Sequence, residues 1–246
     1  MLHEITNLSD FYPFKVNDNS DLINEFILCE DDDSMASDFT FSSMLIHFLL
    51  KKKVCHVLLN RQSLIHYEYI IRKSAGMDMT DLINKGMIYF YHVDNNNNNN
   101  INININGSNS DNSNNNKNSK DNINDYSRSY SIINTLKNNV KSNNAEILLI
   151  DDLNAFELLF DSPECLISNE LKNYFNCICC YASSIKTNII KYYENLATIL
   201  IKITSLSSGY SQDVHGMISI SQNLSTKILY YKLIDGNIIV IPKGKD

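Results

Sequence analysis

The sequence is short of several things that would announce a function. It has no stretch near the ~20 consecutive apolar residues that a membrane-crossing helix needs. It has no excess of positive charge: 21 Lys and Arg stand against 28 Asp and Glu, a net charge of −7. Nucleic acid therefore cannot be held by bulk charge, and any such contact must be local. The first residues, MLHEITNLSDFYPFK, carry Glu4 and Asp10 and lack both a basic start and an apolar run. That pattern fits neither a secretory signal nor an Arg-rich transit peptide. The expected location is cytoplasmic, or shared between cytoplasm and nucleus.

What is present is a foldable chain with one unusual stretch. Hydrophobic residues make up 43% of the 246, too many for a wholly disordered protein. The 36 Asn residues are densest between 94 and 131, in DNNNNNNINININGSNSDNSNNNKNSKDNINDYSRSYS. Such low-complexity polar sequence buries too little to offset its ordering entropy, so a disordered insertion is expected over 94–131. Without it about 205 residues remain, enough for one domain that buries roughly 70% of its surface. The expectation is a single domain over 1–246, with two domains split at the insertion as the alternative.

The flanks alternate strand-like and helix-like segments. EFILCE (25–30), VCHVLL (54–59), MIYFYHV (87–93), EILLID (146–151) and NCICCYA (176–182) are short apolar runs, as strands covered on both faces are. Helical spacing marks 39–50, 63–75 with Gly76 at its end, 132–140, 164–174 and 189–196. The last third holds TILIKITSL, HGMISIS, KILYYKLI and NIIVIP, strands joined by turns at Gly209, Asn223 and Asp235-Gly236. The expected fold is α/β: a mainly parallel sheet flanked by helices, with an antiparallel β-rich C-terminal extension.

Six cysteines are present: Cys29, Cys55, Cys165, Cys177, Cys179 and Cys180. The tight C-x-C-C group lacks zinc-site spacing and has no nearby histidine, so a buried strand is the expected reading. The histidines at 3, 47, 56, 66, 92 and 215 form no i,i+4 metal pair. No metal or cofactor is expected.

In an open α/β sheet, ligands bind at the carboxyl ends of the strands. A phosphate loop there needs glycines and a Lys. The first strand-to-helix turn, EDDDSMASDFTFSS, has neither, and presents Glu30, Asp31, Asp32, Asp33 and Asp38. These acids repel a triphosphate. Asp151 and Asp152 end the ILLIDD strand, as acids do in the Mg²⁺-organising strand of P-loop enzymes. A divergent Mg²⁺-dependent nucleotide hydrolase therefore stays open as the alternative to a protein without chemistry of its own. A free-standing interaction module that recruits partners through the Asn-rich insertion is a third reading.

Three segments in order resemble a known family: KVCHVLLNRQSLIHYEYIIRKSAG (53–76), EILLIDDLNAFELL (146–159), and SSGYSQDVHGMISI with LYYKLIDGNIIVIPKG (207–220 and 229–244). The elements that carry the likeness are Lys53-Val54-Cys55, Gln62-Ser63, His66-Tyr67, Ile70, Gly76, Asp151-Asp152-Leu153, and Gly209 with Asp213-Val214-His215-Gly216. In these the chain resembles the sixth subunit of the Elongator complex. The acidic turn, without the family's Gly, and the Asn-rich insertion depart from the pattern. The resemblance implies a RecA-like fold without ATPase motifs and no enzymatic activity. It implies assembly with paralogous subunits four and five into a hetero-hexameric ring. That ring joins the catalytic core that modifies wobble uridines of tRNA at carbon 5, and contacts tRNA. The candidate tRNA contacts are Lys51, Lys52, Lys53, Arg61, Arg72 and Lys73, which cluster in sequence. Gly216 is expected to permit a backbone bend, and His215 to be structural.

Overall fold

The computed structural model of the chain describes residues 25–31, 38–92, 133–140, 146–159, 166–183, 187–206, 213–234 and 237–242. The insertion at 94–131, Cys165, Gly209 and the Asp235-Gly236 turn lie outside these residues.

Among the described residues, nine strands form one sheet. In chain order they are β1 (Glu25–Asp31), β2 (Val54–Leu59), β3 (Ile88–His92), β4 (Glu146–Ile150), β5 (Cys177–Ala182), β6 (Ile199–Ser205), β7 (Gly216–Gln222), β8 (Ser225–Ile234) and β9 (Asn237–Pro242). Their order across the sheet is β3-β2-β4-β5-β1-β6-β7-β8-β9. The first six pair in parallel and the last four form an antiparallel meander beginning at β6. Segments before and after the insertion thus share one sheet, with β2 seated between β3 and β4.

Burial follows from sequence pattern. All six residues of β5 and all five of β4 are buried, as continuous apolar runs allow. β6 and β7 instead begin with alternating buried and half-buried positions, the period-2 pattern of strands with one face turned to the core.

One face of the sheet is covered by α1 (Asp38–Leu50), α2 (Leu64–Ala75) and α3 (Met79–Asn84), which insert Phe41, Met44, Leu45, Phe48, Tyr67, Ile71 and Leu82. The other is covered by α4 (133–139), α5 (Leu153–Leu159) and α6 (Asn188–Leu196), through Ile133, Leu136, Phe156, Ile190 and Tyr193. Each such side chain, fully buried, contributes about 1.5–3 kcal/mol.

Three local outcomes differ from the sequence expectation. α3 and α5, of six and seven residues, are too short for a periodic signal and have no counterpart among the expected helices. The helix expected over 164–174 is a π turn at Leu166–Glu170 running into a 3₁₀ turn at Leu171–Asn173. Gly216 makes no left-handed bend. It lies where β7 meets both neighbours, and a Cβ there would stand 2.6 Å from Tyr231 Cε1 and 2.7 Å from the Thr204 carbonyl oxygen. Close approach, and not a bend, requires the glycine.

The described cysteines are all buried. Cys177 and Cys179 share one face, with their sulfurs 3.6 Å apart, and Cys180 points to the other. Burial pushes the Cys29, Cys55, Cys179 and Cys180 thiols well up, which keeps them protonated and unreactive. Among the described residues, no helix is long and apolar enough to cross a membrane.

Candidate functional site

The chain leaves β2 over one face of the sheet, through α2 and α3, and leaves β4 over the other, through α5. Between two such neighbouring strands the carboxyl ends open a crevice. The crevice found there is lined by Phe41 and Ser42 of α1, Arg61 and Gln62 of the β2–α2 turn, His66 and Tyr67 of α2, Asp151 after β4, and Tyr181 of β5. Its free space is about 10 Å³. One water needs roughly 10–15 Å³, and small-molecule sites run to roughly 300 Å³ or more.

Asp151 organises this crevice. Its Oδ1 accepts the backbone N–H groups of Asn60 at 2.6 Å and Arg61 at 3.1 Å. Its Oδ2 accepts the Gln62 N–H at 3.1 Å and the Tyr67 hydroxyl at 3.3 Å. The residue is only 3% exposed. Burial pushes its carboxyl above the ordinary aspartate range, and the donors from Asn60, Gln62, Arg61 and Tyr67 hold the rise back. Asp152 has a different task. Its Oδ1 accepts the Ala155 N–H at 3.0 Å and so caps α5. Both acids that the sequence offers as a magnesium pair are thus engaged with backbone donors.

The family-motif residues on α2 set its ends. Ser63 is the N-cap, accepting the His66 N–H at 3.3 Å, and Gly76 closes the helix at φ +64°. Tyr67 is almost wholly buried: its ring packs in the core and its hydroxyl ties α2 to Asp151. His66 stands edge-on to it at 5.5 Å, and its Nε2 is enclosed with no hydrogen-bond partner among the described residues.

The acids ending β1 are also enclosed, Glu30 at 7% and Asp31 at 4% exposure. Lys202 of β6 reaches Glu30 at 3.1 Å and Glu194 of α6 at 2.5 Å. Burial raises the Glu30 pKa in spite of Lys202. Burial alone would lower that of Lys202, but its two carboxylates outweigh this and raise it.

His215 is structural in the geometry as well. Its N–H donates to the Tyr231 carbonyl at 2.8 Å, and its Nδ1 accepts the Leu233 N–H at 3.0 Å. Asp213, 92% exposed, faces Lys232 at 3.6 Å.

The six candidate cations do not come together. Lys51, Lys52 and Lys53 form the turn that enters β2, and Arg72 and Lys73 end α2, which returns to that same amino end of the parallel strands. Arg61 lies at the carboxyl end, about 20 Å away along the six residues of β2. Its guanidinium sits 4.7 Å over the Tyr181 ring.

No protein-family model and no curated protein matches the sequence. Solved structures do match in shape. A KaiC-like protein from Pyrococcus horikoshii aligns with a TM-score of 0.55 at 11% identity, over 89% of this chain and 90% of that one. The flagellar accessory protein FlaH from Methanocaldococcus jannaschii aligns at 0.54 and 10%, over 89% of each. At such identities the likeness is one of fold. The chain has the RecA-like α/β fold, a mostly parallel central sheet with antiparallel C-terminal strands.

Proposed function

We propose that the chain is a non-catalytic, RecA-like subunit of an Elongator complex, of the subunit-six type. In this reading it joins paralogous subunits four and five in a hetero-hexameric ring that supports wobble-uridine modification of tRNA by the catalytic core, in cytoplasm or nucleus. The observation that carries the proposal is the state of the sheet's carboxyl end. Asp151 and Asp152, the acids placed to organise a metal, accept hydrogen bonds from backbone donors. The first strand-to-helix turn has acids where a phosphate loop needs glycine and lysine. A RecA-like scaffold without a phosphate cradle is suited to assembly and to tRNA handling.

Affinity purification of the tagged chain from its native cell, with mass spectrometry of the partners, tests this. Recovery of two paralogous RecA-like subunits in equal amounts, with the catalytic core, is the expected result. Recovery of the chain alone, or with unrelated proteins, overturns it.

The acids at the ends of β1 and β4 favour one second reading, a divergent Mg²⁺-dependent nucleotide hydrolase. Mg²⁺-dependent phosphate release from ATP or GTP that disappears in a folded Asp151→Asn variant would establish it.

A further inference from the structure

Three consecutive backbone N–H groups, from Asn60, Arg61 and Gln62, converge on one carboxylate, with the Tyr67 hydroxyl as a fourth donor. Successive amides turned inward in this way form a nest, a concavity that binds anions, commonly phosphate. Here the concavity is full, and what fills it comes from ninety residues further along the chain, at the end of another strand. The four donors are neutral, and they divide evenly over the two oxygens of Asp151. The site is therefore shaped for a planar two-oxygen anion, a carboxylate, more than for a tetrahedral one.

We propose that the Asn60–Gln62 turn is a carboxylate-binding nest whose ligand is the chain's own Asp151. That side chain is thereby the positioning residue for Arg61 and for the start of α2. Held by the carboxylate, the turn sets Arg61 over Tyr181 and delivers Ser63 to its capping position. The crevice is closed to an outside anion because the donors that would take one are already engaged. The inference concerns the β2–α2 turn alone and holds whether or not the chain works in a ring.

Truncation followed by chemical rescue tests it. Asp151→Ala removes the carboxyl group and leaves a gap the size of formate between the nest and Cβ. Asp151→Gly leaves a gap the size of acetate. Thermal unfolding is followed in sodium formate, sodium acetate or sodium chloride at equal ionic strength. The truncated variants are expected to melt about 5–15 °C below the parent chain in chloride. Formate restores most of the loss in Asp151→Ala, acetate restores more in Asp151→Gly than in Asp151→Ala, and neither moves the parent chain. An equal shift of parent and variants by both anions, or no restoration at all, overturns the proposal.

Asp151→Asn covers the case in which truncation prevents folding. Its amide keeps one acceptor but turns an NH₂ toward the donors. At least one of the amides of residues 60–62 should then exchange about tenfold faster or more, while the β7–β8 amides are unchanged. Unchanged protection of all three would also overturn it.

Discussion

His56 is wholly enclosed, yet both of its ring nitrogens have partners. Nε2 lies 2.6 Å from Glu146 Oε2 and Nδ1 lies 2.8 Å from the Tyr91 hydroxyl, which also accepts from the Asn139 amide at 3.2 Å. One arrangement satisfies every atom: Nε2–H donates to Glu146, the Tyr91 O–H donates to Nδ1, and Asn139 donates to Tyr91. The network anchors α4, which follows the Asn-rich insertion, to the sheet. Removing the imidazole leaves a buried carboxylate without it. His56→Ala should therefore cost about 3–5 kcal/mol, and Glu146→Gln, which keeps an acceptor, about 1–2 kcal/mol, both by urea unfolding. Glu30 behaves in the opposite sense. Its pKa is raised in the folded state, so the folded chain holds that proton more tightly than the unfolded one. Stability is fully present below the ordinary glutamate range and declines as pH rises through the folded pKa. Glu30→Gln, which leaves the Lys202–Glu194 pair intact, should stabilise the chain at neutral pH. The gain should vanish as the pH is taken below that range in parallel denaturation series. Asp151 marks the limit of legibility at this scale. The sequence shows an acid closing an apolar strand, which fits a metal ligand and a loop clamp equally. The three amides that decide between them belong to residues some ninety positions earlier, and no local pattern records their approach.

Two helix ends show how sequence and local geometry can agree or conflict. α2 stops at Gly76, with φ +64° and open space around the missing Cβ. α1 stops at Lys52, with φ +57°, where the Lys52 N–H donates to the Leu49 carbonyl and the Lys53 N–H to that of Phe48. This is the same left-handed closure made by a residue with a Cβ. Gly76→Ala should cost about 1 kcal/mol, and Lys52→Gly should gain about as much, both read from thermal unfolding. Gly216→Ala belongs with them but is far more severe. Its Cβ would press on the Thr204 backbone and the Tyr231 ring together, so a loss of about 3 kcal/mol or more is expected, with disrupted β6–β7–β8 pairing visible in amide exchange. Elements were legible where their signal was long or uniform. The apolar runs of β2, β4 and β5 and the helix over 63–75 with Gly76 at its end could be read directly, whereas the capping role of Ser63 came from the geometry. α3 and α5 could not, since six or seven residues held by tertiary contact carry almost no period. The order of strands, which creates the crevice, is written in no single segment.

At the scale of the molecule, the candidate cations separate into two groups at opposite ends of the parallel strands. This makes the tRNA proposal divisible. If the amino-end group of Lys51, Lys52, Lys53, Arg72 and Lys73 faces tRNA in the assembled ring, Arg72→Glu should weaken binding and flatten its salt dependence by about one unit of slope, and Arg61→Glu should do neither. Titration of labelled tRNA with the purified ring at several salt concentrations reads both. An unchanged slope in Arg72→Glu removes that group from the proposal.

The position of β1 has a consequence for how the protein is made. It is the first described strand, yet it sits near the middle of the sheet, and both its neighbours, β5 and β6, lie beyond residue 176. During synthesis its apolar segment leaves the ribosome long before either partner strand exists, and the Asn-rich insertion lengthens the wait. At about 5–20 residues per second that delay is on the order of ten seconds. The last-made third of the chain completes the setting of the first strand. A ribosome stalled just short of β6 should therefore display a nascent chain in which proteases cut β1 readily, and one stalled far enough past β9 to free it from the exit tunnel should display a chain whose β1 segment resists, with cleavage confined to stretches such as the Asn-rich insertion.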